Sequence, residues 1–304
     1  MKSPMDSKKI NEEKEMSIFS KKLLSSVFKS EGGRQRIIDH YDKLLSLHDF
    51  EYRERYVDTS FGSTYILESG RDDQPPLFLF HGSSSNSAAW FADIKALSQH
   101  FHVLAVDLIG DAGHSAETRP DTTSNGYSMW IRELYEGLGI EKASIMGNSL
   151  GGWMCLWFAS VFPEKVDKIV LLATSGIAPI RVSFIFKVMF YGMRGGKGGD
   201  GITRMVFGKD SVPPEVIEFL NIISENYLPY TGALPSLSKA QLTKLVMPVL
   251  YIAGEDDKLT NVPKCANRLR KHLAQPTIYI IKNTGHVIYN VLDRVIPFLQ
   301  KDRM

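Results

Sequence analysis

From residue 77 onward the chain repeats one pattern: a short unbroken apolar run, then a longer stretch with apolar residues at helical spacing. The runs are LFLF at 77–80, VLAVDL at 103–108, ASIMGNS at 143–149, KIVLLAT at 168–174, PVLYIAGEDD at 248–257 and PTIYIIKNTGH at 276–286. Unbroken rather than alternating runs belong to strands covered on both faces. Helical stretches at 87–99, 127–138, 150–161 and 263–273 fall between most of them. Such alternation predicts a doubly wound α/β sheet. Upstream, Ile37, Ile38, Tyr41, Leu44 and Leu45 space out as one helix face within 34–47, and YVDTSFGSTYILESG reads as a hairpin turning at Gly62.

One interval breaks the rhythm. About seventy residues separate the fourth and fifth runs, far more than a crossover needs. The chain therefore divides into an N-terminal helical extension (1–50), a core of two pieces (51–175 and 245–304) and an inserted helical cap (176–244). Within the cap, RVSFIFKVMFYGM (181–193) predicts an apolar helix that covers a pocket. RGGKGGDG (194–201) predicts a mobile hinge, because glycine has the most backbone freedom to lose. No G-x-x-x-x-G-K-[ST] phosphate loop occurs.

Composition narrows the function classes. A net charge of +2 over 304 residues gives no basic face for nucleic acid. No run reaches the 18 or so apolar residues of an integral membrane span. The start, MKSPMDSKKINEEKEM, lacks the apolar segment of a secretory signal, so a cytoplasmic location is expected. Two cysteines, Cys155 and Cys265, are too few for a disulfide framework.

The chemistry concentrates at GNSLGG, residues 147–152, which fits G-x-S-x-G between a strand and a helix. That turn holds Ser149 in a strained conformation with its hydroxyl exposed. Only small residues fit two positions before and after it, and Gly147 and Gly151 stand there. The Leu150 N–H, at the helix N-terminus, faces a developing oxyanion. A serine hydroxyl needs a base. Of eight histidines, His286 has the matching context, a loop at the carboxyl end of the sixth run. The base needs an orienting acid. Gly254-Glu255-Asp256-Asp257 offers three, with Asp257 favoured over Asp256 and Glu255 third. A second oxyanion donor is expected after the first run, at His81-Gly82-Ser83: Gly82 lets the backbone approach substrate and the Ser83 N–H points at the oxyanion. His81 is read as shaping that loop. Trp90 and Trp153 are candidates for an acyl pocket, with plain core packing as the competing reading of each.

HGSSS, GNSLGG, GEDD and NTGH together resemble the α/β-hydrolase fold family over residues 56–299. The order Ser149, Asp257, His286 is that family's nucleophile, acid, histidine order. DLIGDAGHS at 107–115 is one residue longer than the common D-x-x-G-x-G-x-S; with TSFGSTYILESG before it, it is similar to bacterial carboxylesterases of the naproxen esterase type. The resemblance implies an eight-stranded, mostly parallel sheet flanked by helices, a helical cap, no cofactor and no metal. It also implies the triad Ser149, Asp257 and His286, with Ser83 and Leu150 as oxyanion donors. The expected partner is a small-molecule ester, and a homodimer is compatible with the chain. The alternatives are a carbon–carbon bond hydrolase or lactonase of the same fold, and a hydrolase-fold ligand receptor with little turnover. Serine at the elbow argues against epoxide hydrolases and haloalkane dehalogenases, which place aspartate there.

Overall fold

A computed structural model describes residues 26–179, 214–232 and 234–301. The expectations for the start of the chain, for the apolar helix at 181–193 and for the glycine-rich hinge at 194–201 lie outside the described residues.

The apolar runs form six strands of one eight-stranded sheet, in the order β1-β2-β4-β3-β5-β6-β7-β8. Strands β1 (Arg53–Thr59) and β2 (Gly62–Ser69) make the predicted hairpin, and β2 pairs antiparallel with β4 (His102–Val106). From there β3 (Pro76–Phe80), β5 (Ala143–Asn148), β6 (Val166–Leu172), β7 (Val249–Gly254) and β8 (Pro276–Ile281) run parallel.

Successive side chains leave a strand on opposite faces, and both faces here are dry. Phe78, Phe80, Ile145, Leu171 and Tyr251 join one core with Ile131 of α3 (Gly126–Gly137), Phe158 of α4 (Leu150–Val161) and Leu269 of α7 (Val262–His272). Leu77, Leu79, Met146, Val170 and Leu250 join the other, with Tyr41 of α1 (Glu31–Ser46), Ile94 of α2 (Phe91–Leu97) and Val295 of α8 (Leu292–Gln300). Helix α4 is buried from Leu150 through Ser160, which explains why its sequence is apolar all round rather than striped.

Two findings go beyond the sequence pattern. Helix α1 is packed into the core: Tyr41 is fully buried against Tyr65 and Phe91. It also meets α5 (Pro214–Asn226), where His40 stacks on Phe219 and Lys43 pairs with Glu218 at 3.2 Å. Second, β8 has a buried-strand sequence yet is half exposed, with Tyr279 and Ile280 near 40%. The reason is position: among the described residues β8 ends the sheet order and pairs along β7 only.

Candidate active site

The site collects at the carboxyl ends of the parallel strands. Ser149 follows β5 at once, with φ 49° and ψ −104°, a region that non-glycine residues rarely enter. Its N–H donates to Leu172 O on β6, and its own carbonyl accepts from Trp153 N in the first turn of α4. A Cβ on Gly147 would run into the Gly151 backbone, and one on Gly151 into the Phe80 and His81 carbonyls. The small-residue requirement is therefore steric, set within the turn for Gly147 and by the end of β3 for Gly151.

Asp257 lies three residues past β7, and His286 five past β8. The two loops are laced together, since Asp256 N donates to Thr284 O and Gly254 packs against the Thr284–Gly285 backbone. His286 Nδ1 lies 2.9 Å from Asp257 Oδ2, and Nε2 lies 3.0 Å from Ser149 Oγ. A carboxylate only accepts, so Nδ1 carries the proton and Nε2 is left to accept from the serine hydroxyl. Asp257 Oδ1 accepts from Leu259 N at 2.7 Å and Thr260 N at 3.1 Å, and Oδ2 from Thr260 Oγ1 at 2.6 Å. Burial pushes this carboxyl up, but the His286 bond and charge and the Thr260 bonds outweigh it and hold it below the ordinary range. Asp257 is buried, whereas Glu255 is exposed and Asp256 points to Lys258.

The loop after β3 abuts the elbow: a Cβ on Gly82 would sit 3.7 Å from Ser149 Cβ. His81 Nε2 accepts from Leu108 N, so its proton is on Nδ1 and is donated to Gly82 O at 2.8 Å. Carbonyl and N–H point opposite ways across a trans peptide. Holding Gly82 O on His81 therefore aims the Ser83 N–H away from that ring. Among the described residues, neither the Ser83 nor the Leu150 N–H has an acceptor within the chain.

The side chains of the two tryptophans are buried. Trp90 is 3% exposed within the core beside α1 and α2, and Trp153 is 0% exposed, its Nε1 donating to Pro235 O. Both are enclosed by neighbouring side chains.

Three polar contacts escaped the sequence. Ser175 Oγ, just past β6, lies 3.5 Å from Ser149 Oγ. Thr260 braces Asp257. Buried Asp107, past β4, accepts from Ser87 N and His114 N and pairs with His114 Nδ1 at 3.2 Å. The one available signal was position after a parallel strand, where functional side chains gather. Among the described residues, no group of three His, Cys, Asp or Glu is placed to hold a metal ion. Cys155 and Cys265 are free and buried, and burial pushes the Cys265 thiol up to about 11.

A mostly parallel sheet that carries a strained serine elbow, with an Asp–His pair at its carboxyl edge, defines the α/β-hydrolase class. Residues 75–195 match the family described as alpha/beta hydrolase fold. Carboxylesterase YbfK of Bacillus subtilis is 30% identical over 285 residues, 87% of this chain and 93% of its own. The crystal structure of carboxylesterase CesB (YbfK) from Bacillus subtilis superposes with a TM-score of 0.75 at 25% identity, covering 89% of this chain and 96% of that one. That of naproxen esterase (carboxylesterase NP), also from Bacillus subtilis, gives 0.79 at 24% identity over 89% and 99%. The chain belongs to the α/β-hydrolase fold family.

Proposed function

We propose that the protein is a carboxylesterase in which Ser149 is the nucleophile, His286 the base and Asp257 the orienting acid, with the Ser83 and Leu150 N–H groups as oxyanion hole. The observation that carries it is the hydrogen-bonded path Asp257 Oδ2, His286 Nδ1, His286 Nε2, Ser149 Oγ, with links of 2.9 and 3.0 Å. Ser149 Oγ attacks the ester carbonyl while its proton passes to His286 Nε2, and the carbonyl oxygen becomes an oxyanion facing the two amides. Collapse expels the alkoxide, which takes the proton from His286 and leaves an acyl-serine. Water enters, gives a proton to His286 and attacks the acyl carbon; Ser149 then leaves with that proton and the acid is released.

The substrate in this reading is a small uncharged ester, and the segment 176–244 between β6 and β7 acts as the cap that selects it. The two free buried thiols suit a reducing, cytoplasmic compartment. Among the described residues, no helix is long and apolar enough to cross a membrane.

The test is labelling with a fluorophosphonate, mapping of the adduct, and steady-state rates on p-nitrophenyl esters of increasing acyl length. An adduct on Ser149 with sustained turnover is expected. An adduct with one acylation burst and no turnover selects the receptor reading, and turnover confined to vinylogous diketones selects carbon–carbon cleavage.

A further inference from the structure

The extra residue in DLIGDAGHS falls between Gly110 and Gly113, and Asp111 lies there with 5% of its surface exposed. Its side chain turns toward the loop after β3. Oδ2 accepts from Ser84 N at 3.3 Å, and Oδ1 accepts from Ser85 N at 3.3 Å and from Ala112 N at 2.9 Å. Ser84 has φ 57°, in the left-handed region that a serine enters only when held. Successive amides around a left-handed residue form a concave nest for an anion, and here the anion is a carboxylate of the chain itself. Asn86 Nδ2 ties the same two segments a second time, donating to Ala112 O at 2.9 Å. Resting on the serine-hydrolase reading above, we propose that Asp111 is a positioning residue. Its carboxylate fills the Ser84–Ser85 nest and so fixes the neighbouring Ser83 N–H toward the oxyanion.

The arrangement is held against a cost. Burial pushes the Asp111 carboxyl up, and the His81 field and the Ala112 and Ser85 amides only partly oppose it. The titratable groups facing it are His81, Tyr127 and Tyr227, with Arg119 behind them, bonded to Gly110 O and the Tyr227 hydroxyl. A folded value above the unfolded one means stability that is full below about pH 4 and lost as pH rises through the folded value.

Asp111→Asn keeps the shape and one acceptor oxygen but removes the anion. The variant is compared with wild type on p-nitrophenyl butyrate, with active sites counted by fluorophosphonate titration. Affinity for an aryl trifluoromethyl ketone is measured beside it; this ketone adds Ser149 Oγ to its carbonyl carbon and leaves an oxyanion. Expected are a kcat lower by about 10- to 100-fold, less than a whole oxyanion donor is worth, a ketone affinity lower by a similar factor, and a KM little changed. The melting temperature at pH 7 should fall modestly, because Oδ1 keeps the Ser85 and Ala112 amides while the new NH2 group faces the Ser84 N–H, a donor. Unchanged kcat and ketone affinity, or a change confined to KM, overturns the assignment. Should the asparagine fail to fold, Asp111→Ser supplies the same comparison. If wild type neither turns over the ester nor forms the Ser149 adduct, the esterase reading itself has failed and the assignment falls with it. Turnover and adduct in wild type with an indifferent Asp111 overturns this inference alone.

Discussion

At the scale of single residues, the proposed triad depends on which nitrogen of His286 carries the proton. Asp257 decides it, and the decision is unusually well braced. Oδ1 is claimed by two backbone N–H groups, from Leu259 and Thr260, so that position must stay an oxygen. In Asp257→Asn the amide nitrogen therefore takes the Oδ2 place, donates to His286 Nδ1 and forces the proton onto Nε2. That tautomer has nothing with which to accept from Ser149. Asp257→Asn should lower kcat about 10⁴-fold, and Ser149→Ala by about 10⁴-fold or more. Asp256→Asn, altering a partly exposed side chain, should stay within about 2-fold. Steady-state kinetics on one ester checks all three; a larger loss from Asp256→Asn would move the acid. The depressed Asp257 carboxyl also sets a pH window. Its stabilisation is complete above about pH 4, its unfolded value, and is lost as pH falls through the folded one. The difference in urea midpoint between wild type and Asp257→Asn should shrink below that pH. A constant difference from pH 7 to 3 would sink this.

At the scale of elements, the elbow shows what could be read from sequence and what could not. Gly147, Ser149 and Gly151 were legible because the turn is confined to five consecutive residues, and a Cβ on Gly147 would meet the Gly151 backbone only four positions on. The buried strands were legible for a similar reason, since covering both faces leaves no polar alternation. Asp111 was not legible: its partners are backbone amides 26 and 27 residues away, which any sequence supplies. Trp90 and Trp153 illustrate the converse, for an aromatic side chain in the sequence fits a pocket or a core equally well, and the burial of both is a property of the fold. Gly82 differs in kind from Gly151. An added Cβ would meet Asn148 and Ser149 at an ordinary 3.6–3.7 Å, so the fold accepts it, but the methyl would stand in front of the nucleophile. Gly82→Ala should keep its melting temperature within a few degrees and lose most of its kcat/KM. Gly151→Ala, driven into the Phe80 and His81 carbonyls, should fail to fold or melt far lower. Thermal melts beside ester kinetics separate the two, and a destabilised, fully active Gly82→Ala would contradict the assignment of that space to substrate.

At the scale of the whole molecule, the three proposed catalytic groups come from strands of unequal security. Ser149 leaves β5, which is paired on both sides and buried between α4 and the opposite core. His286 leaves β8, which among the described residues has β7 on one side only and exposes Tyr279 and Ile280. Elements with few buried contacts open at lower free energy than the fold as a whole. In the proposed mechanism activity needs β8 in register, because the His286 and Asp257 loops are laced through Thr284 and Gly254. The tryptophans report on something else: Trp130, Trp153 and Trp157 lie in the core around α3 and α4, and Trp90 in the opposite core. Urea should therefore abolish ester hydrolysis at a lower concentration than it shifts tryptophan fluorescence. Backbone amides of β8 should exchange with deuterium before those of β5 and β6 in the intervening range. Coincident loss of activity and fluorescence, with uniform exchange across the sheet, would show that the edge strand unfolds with the rest. The same asymmetry explains why an apolar run such as PTIYII gave no warning of exposure. Strand sequence records the covering helices, here α7 and α8 on the two faces, but not the missing neighbour at the edge.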